Sequence, residues 1–368
     1  MRVLVIGAGI VGCGIAYELA GRGVEVTVLE RGDFGEQAAT PAAAGMLGAQ
    51  LEDHPSPVML RLCVASRSRY ADWAGALTAE TGIDVDYRRC GALVVGQDEA
   101  RLAELRETVE RQRAEGLTAR MIDGAALREL EPALSERLPG AAHFPDDGRI
   151  DPPSLLRATR AAAEKRGARF RFRTEVAALA LTDARVTGVT TREGERLEAD
   201  EVVVAGGSWS PQLGGLAAFG VSRTSVEPVR GQIVELSAPV LGGLVDGPGA
   251  YLSPRSDGRL LVGATVEHVG FERAVTPAGV LPLLSAAIAL VPALAEAPIL
   301  GLRSGFRAQT PDGLPILGRV AEGLLAATGH YRNGVVLAPL TALCIAELVT
   351  GAAPTVDLAP FSATRFRA

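Results

Sequence analysis

Apolar runs and the spacing at which polar residues break them divide this chain into elements. Arg2 to Ile6 is a short apolar run followed by glycines. Ile15, Ala16, Leu19 and Ala20 then recur at helical spacing until Gly21 and Gly23 stop the helix. Val24 to Leu29 reads as a second buried strand ending at Glu30, which completes a βαβ unit. Asp98 to Glu115 is a charged amphipathic helix with Leu102, Leu105 and Val109 on one stripe, and Asp123 is placed to cap a further short helix ending near Pro132. Pro153 to Arg166 predicts a helix, Arg169 to Phe172 a strand, and Val186 to Val204 a hairpin-like pair running into "VVVAGGSW". Between Val226 and Val266 the pattern turns to strands with turn signals, and Ser256, Asp257 and Gly258 mark a tight hairpin. Near the C-terminus a run from Gly323 to Thr328 meets the polar knot "GHYRNG" before a second apolar run starts at Val335. Parallel-type strands with helices at both ends and in the middle, and antiparallel strands between them, predict an α/β fold.

Composition narrows the class without naming a function. With 368 residues, 48% of them apolar, the chain can bury a large core in one domain or two intertwined ones. The net charge is −6, and Lys165 is the only lysine among many arginines, so no basic patch points to nucleic acid. Cys13, Cys63, Cys90 and Cys344 are scattered without metal or dithiol spacing, which favours reduced thiols in an intracellular, cytoplasmic protein and no metal. Glycines interrupt the N-terminal apolar run where a signal peptide would be continuous. From Ala274 to Ala295 no residue is charged, but Pro277, Pro282 and Pro292 break the stretch, so a buried or interface helix is expected rather than a membrane span.

Gly7, Gly9 and Gly12 give the spacing GxGxxG between strand and helix. The first glycine permits the tight turn, the second lets backbone approach a pyrophosphate, and the third lets helix pack on strand, so that the pyrophosphate rests on the helix N-terminus. Glu30, at the end of the second strand, is placed to accept hydrogen bonds from a ribose. This fingerprint serves NAD and FAD alike. "TPAAAGMLGAQ", Thr40 to Gln50, reads as a small-residue loop entering a helix, suited to passing closely against a flat ring system.

"GAGIVG", "AAAGMLGA", "VVVAGGSWS", "YLSPRSDGRLLVGAT", "TPDGLPILG" and "GHYRNGVVLAP", in this order and spacing, resemble the D-amino-acid oxidase superfamily of FAD flavoproteins, most nearly its glycine-oxidising branch in thiamin pathways. The resemblance implies a Rossmann-like FAD-binding domain from 1–82, 145–218 and 312–368. Into it is inserted a mixed, largely antiparallel β-sheet substrate domain from 83–144 and 219–311. Cofactor contacts are implied at Gly7, Gly9, Ile10, Val11, Gly12, Glu30 and Arg31, and at Ala43, Ala44, Gly45 and Met46. Val176, Gly206, Trp209, His330, Arg332, Asn333 and Gly334 complete the set. Trp209 is either a shield over the cofactor or a core aromatic, and His330 either a turn histidine or a ligand contact. His54, His143 and His268 show no partner spacing.

For the substrate, Arg307, five residues before Asp312, matches the arginine that holds a carboxylate, for which a planar guanidinium is the suited donor. Arg303 is its competitor, with a strand-end surface position as the alternative. Tyr251 matches a tyrosine that reaches the same carboxylate, and Arg332 an arginine at the flavin and substrate end. Where relatives often carry a histidine two residues before this tyrosine, Gly249 stands here; where relatives with covalent flavin carry a cysteine, Gly305 stands, so FAD is expected to be non-covalent. The implied reaction is hydride transfer from the α-carbon of a small amino acid (glycine, sarcosine or a small D-amino acid) to the flavin, with oxygen reduced to peroxide. The alternatives are a dehydrogenase passing electrons to a membrane quinone through the Ala274 to Ala295 stretch, and a non-catalytic or NAD-using dinucleotide binder. A homo-oligomer is left open.

Overall fold

The apolar runs in Arg2–Ile6 and Glu25–Leu29 bury Val3, Leu4, Val5, Val26, Val28 and Leu29, as expected for strands covered on both faces. In the computed structural model, which describes residues 1–52, 54 and 56–366, these strands lie in a six-stranded sheet. Its order is Ile316–Ala321, Leu324–Thr328, Glu201–Val204, Arg2–Ile6, Glu25–Leu29, Arg169–Arg171. All neighbours are parallel except the edge strand Ile316–Ala321. Helices Ile10–Gly21, Pro152–Lys165 and Gly334–Val349 cover it and share one apolar core with it.

The second sheet has eight strands, in the order Ile299–Gln309, Glu227–Ser237, Arg259–Gly263, Ala250–Pro254, Leu244–Gly247, Ala92–Gly96, Gly140–Phe144, Arg120–Asp123. Only Leu244–Gly247 and Ala92–Gly96 run parallel, so the sheet is mixed and largely antiparallel. Asp98 and Asp123 cap their helices by accepting from Arg101 N and Ala126 N at 2.8 and 2.9 Å.

Two expectations need correction, and the packed helix expected in the uncharged stretch is present in shorter form. The small-residue loop does not enter a helix. It forms a 3-10 turn at Thr40–Ala42 and a two-residue strand Met46–Leu47 paired with Gly148–Arg149; the next helix begins at Pro57 under a Ser56 cap. Gly45 takes φ +66°, a left-handed conformation that turns the chain and ends any helical run. The predicted pair from Val186 to Val204 is split between sheets: Arg185–Thr191 and Arg196–Glu198 belong to a small antiparallel sheet with Val176–Thr182, while Glu201–Val204 joins the parallel one. Within the uncharged stretch from Ala274 to Ala295, only Pro277–Leu290 is α-helical, 14 residues, shorter than the ~20 that cross a bilayer. One face of it (Val280, Leu283, Ala287, Leu290) packs on the eight-stranded sheet. Among the described residues the helix long and apolar enough to span is Tyr331–Val349, and 72% of its apolar 18-residue stretch is buried inside the protein.

Candidate active site and cofactor cavity

Between the two sheets, at the C-terminal ends of the parallel strands, lies a cavity of about 340 Å³. In open α/β sheets ligands bind at this position. The fingerprint forms one end of it. Gly7 has φ +105°, and a Cβ there would come within 2.7 Å of the Ala205 carbonyl oxygen. A Cβ on Gly12 would collide with the Gly7 carbonyl oxygen, so the helix sits on the strand only because this residue has none. Gly12 itself does not line the cavity, whereas Gly7, Gly9, Ile10 and Val11 do. No side chain caps the helix at Gly9, and Ile10 N donates to Thr40 Oγ1 at 3.2 Å. Glu30 reaches the cavity, and its two oxygens accept from Ala8 N at 2.8 Å and Gly32 N at 3.3 Å.

Arg31 lies flat on Trp209, its guanidinium carbon 3.3 Å from the ring centroid, and Trp209 stacks on Phe271 at 3.7 Å. Trp209 is thus both aromatic packing and cavity wall. Nη2 of Arg31 is buried with no hydrogen-bond partner among the described residues, and burial lowers its pKa with the Glu30 and Glu175 charges opposing, so this end offers an unsatisfied N–H donor. Ala43, Ala44, Gly45, Met46, Val176 and Gly206 also line the cavity.

The other end is built from the eight-stranded sheet. Tyr251 pairs with Gly263, where a Cβ would come within 2.6 Å of the phenol ring. Arg307 crosses Gly231, where a Cβ would overlap its guanidinium. Two glycines therefore make room for the two side chains to lie flat on the sheet. Arg307 Nη1 donates to the Thr265 carbonyl at 2.9 Å, and no carboxylate pairs with it among the described residues. Burial pushes the Tyr251 hydroxyl pKa up, with the Arg307 charge opposing. Arg303, two positions along the same face, is outside the cavity: it pairs with Glu235 and donates to the Pro41 carbonyl at 3.1 Å.

From the side of the parallel sheet, "GHYRNG" brings His330, Arg332, Asn333 and Gly334 to the wall, and the Gly334–Val349 helix starts there with no side-chain cap. His330 is a turn histidine and a wall residue at once. Its Nε2 lies 3.2 Å from Thr341 Oγ1, and burial pulls its pKa down to about 4, so the ring is neutral at physiological pH.

Arg332 Nη2 bonds Glu52 Oε1 at 3.1 Å, and Glu52 also lines the cavity. Glu52 went unread in the sequence. Its available signal was an acid seven positions after Gly45, but only the fold brings it to Arg332. Asp246, directly opposite Tyr251 in the sheet, is pushed up to about 6 by burial, with Glu52 adding and Arg332 opposing. Gly249 takes φ +80° in the turn between Leu244–Gly247 and Ala250–Pro254, with a Cβ position 3.1 Å from Ala286, a site suited to glycine rather than histidine. At Gly305 a Cβ would stand 2.8 Å from Ala42, so the strand lies directly against the small-residue loop. The histidines away from the cavity do have partners: His143 accepts from Arg120 Nε at 3.1 Å, His268 lies 3.4 Å from Glu227, and His54 Nε2 is 2.8 Å from the Ala49 carbonyl.

A family model described as FAD dependent oxidoreductase matches residues 2–348. The chain belongs to this family. FAD fits the residues of this FAD-dependent oxidoreductase: the glycine cradle and helix N-terminus suit a pyrophosphate, and the orphaned Arg31 nitrogen suits an anionic or acceptor group. It is 39% identical to glycine oxidase from Geobacillus kaustophilus over 99% of this chain and 96% of that protein. The crystal structure of glycine oxidase from that organism superposes with a TM-score of 0.93 at 38% identity, covering 100% of both chains. It is likewise 39% identical to the bifunctional protein ThiO/ThiG of Synechocystis sp., covering 99% of this chain but only 54% of that protein, so it spans about half of the bifunctional relatives. The crystal structure of iminodiacetate oxidase from Chelativorans sp. matches with a TM-score of 0.89 at 31% identity over 98% of both chains.

Proposed function

We propose that this oxidoreductase converts a small amino acid, with glycine first and sarcosine or a small D-amino acid as variants, to its imine while oxygen is reduced to hydrogen peroxide. We propose further that it serves thiamin thiazole synthesis in the cytoplasm. In this reading residues 1–82, 145–218 and 312–368 hold FAD, and 83–144 with 219–311 hold the substrate. The observation that carries it is the pair Arg307 and Tyr251, laid flat on glycines at the cavity wall, with Arg307 lacking a carboxylate partner among the described residues.

Arg307 binds the substrate carboxylate through two parallel N–H donors and Tyr251 donates a third bond, which fixes the α-carbon and its hydrogen. Arg332 is neutralised by Glu52 and so does not compete for the carboxylate. Gly334 and the uncapped helix start direct N–H dipoles into the cavity, which favours negative charge there. Bound FAD supplies the hydride acceptor and the electron exchange with oxygen. The amine must lose its proton before the hydride leaves, and solvent takes that proton when the amine binds in its neutral form. Mixing the flavin-loaded protein anaerobically with glycine and a panel of D-amino acids tests the reading. Bleaching of the visible flavin bands by glycine is expected, and no bleaching by any amine overturns it.

A further inference from the structure

The motif "YLSPRSDGRLLVGAT" holds an arginine that the reaction does not use. Tyr251, Ser253 and Arg255 alternate along one face of the strand Ala250–Pro254 and its extension, the face turned toward the parallel domain. Tyr251 reaches the cavity; Ser253 and Arg255 are buried at 0% and 4% exposure. Ser253 Oγ donates to the Ala44 carbonyl at 3.1 Å, and Arg255 Nη2 donates to the same oxygen. Arg255 Nη1 braces the arrangement by donating to Ser253 Oγ at 3.0 Å and to the Pro254 carbonyl at 2.9 Å, while Nε lies 3.5 Å from Asp151 Oδ1.

The loop that receives this clasp is held at two further carbonyls. Arg303 Nη1 donates to Pro41 O at 3.1 Å, and Ile150 N donates to Gly45 O at 2.9 Å. The carbonyls of Pro41, Ala44 and Gly45 are thus committed away from the cavity that Ala44 and Gly45 line. The N–H groups of Ala44 and Gly45 find no acceptor among the described residues, although both residues are buried. A buried N–H without a partner is costly, and such groups are rare. Because the peptide is planar and trans, the Gly45 N–H points opposite to the Ala44 carbonyl. Fixing the carbonyl on the eight-stranded sheet therefore fixes the direction of the donor.

We infer that Arg255, together with Ser253, is a positioning residue for the cofactor, holding the Ala44–Gly45 peptide so that its N–H is presented to the flavin ring system. This rests on the flavin-binding reading of the cavity and goes beyond it in assigning a role to a residue that touches neither cofactor nor substrate. A donor held toward the ring stabilises the negative charge that reduction places there, so the clasp raises both affinity for FAD and the flavin midpoint potential.

The test uses the full chain, stripped of flavin and titrated with FAD, followed by potentiometry of the reconstituted protein. For Arg255→Met we expect FAD affinity to fall about tenfold, the size of one charge-assisted hydrogen bond, and the midpoint potential to become more negative. Ser253→Ala, which removes one donor without leaving a charge unpaired, should shift both quantities in the same direction by about threefold in affinity. Arg255→Lys should recover part of the potential, since an ammonium can reach the carbonyl with one bond. Wild-type affinity and potential in Ser253→Ala and Arg255→Met would overturn the inference. So would a lower melting temperature in Arg255→Met with affinity and potential unchanged, which would mark a structural strut. If Arg255→Met does not fold, Ser253→Ala decides alone. Neither measurement involves an amine, so a failure of glycine to bleach the flavin leaves this result readable.

Discussion

The two ends of the cavity are made by different means. At the fingerprint end the contacts come mostly from backbone within the first thirty or so residues: a turn at Gly7, a helix start at Gly9, and Glu30 holding the Ala8 and Gly32 amides. At the substrate end most functional groups are side chains, and Glu52, Tyr251, Arg307 and Arg332 come from four separate segments. The first end depends on the absence of side chains, whereas the second depends on charge balance. The difference teaches that a lesion at the fingerprint should cost fold and cofactor together, whereas a lesion at the substrate end should leave the flavin in place and change only what binds beside it.

The largest expected effect is at the fingerprint. Gly12→Ala places a methyl into the Gly7 carbonyl, a backbone atom that cannot move aside without shifting the helix. A destabilisation of about 3 kcal/mol and loss of bound flavin are expected, read from the melting temperature and the flavin-to-protein absorbance ratio. A variant that keeps both would break the comparison at its stronger end.

Next in size is Arg307→Ala. Losing the unpaired cation should raise KM for the amino acid by about two orders of magnitude while flavin content stays at the wild-type level. Arg307→Lys should restore only part of the loss, because an ammonium cannot give the bidentate grip. An unchanged KM would remove the carboxylate assignment.

His330 sits where the two ends meet and sharpens the comparison through pH. Its folded pKa of about 4 lies below the usual 6.5 for histidine because burial disfavours the charged ring. The stability from keeping it neutral is fully present above pH 6.5 and is lost as pH falls toward 4, amounting to about 2 kcal/mol by pH 5. Asp147 and Asp246, both pushed up to about 6 by burial, act with the opposite sign, adding stability as pH falls through 6. Comparing urea midpoints of wild type and His330→Gln at pH 7 and pH 5 cancels the aspartates, and on acidification the variant should keep the about 2 kcal/mol that the wild type loses.

How much was legible follows the same division. The βαβ unit could be read because its information is local: a spacing of three glycines, a helical period and a terminal acid all fall within one run of chain. Arg307 was separated from Arg303 by motif spacing, and in the fold Arg303 is taken up by Glu235 and the Pro41 carbonyl. The loop after Thr40 was misread as entering a helix because alanines favour helix, while the left-handed Gly45 and the pairing of Met46 with Arg149 are set by a segment about a hundred residues away. Glu52 and the Arg255 clasp were not legible at all. A lone acid or arginine carries no period, and its meaning comes from sheet register and the approach of the other domain.

The smallest effect addresses that unread acid. Glu52 holds Arg332 in a pair that is 14% exposed on the acid side and 37% on the arginine side, so solvent screening limits its strength. With Arg332 neutralised, Arg307 is the free anion receptor at this end, and the pocket suits a ligand with one carboxylate. Glu52→Gln keeps the shape but releases the Arg332 charge. Binding of acetate, followed by the shift it causes in the flavin spectrum, should change little, because Arg307 is untouched. Malonate, whose second carboxylate can use the released guanidinium, should bind about tenfold more tightly to the variant than to wild type. If the malonate-to-acetate ratio is the same in both proteins, the Arg332 charge is not available to ligands, and the charge balance assigned to this end is wrong.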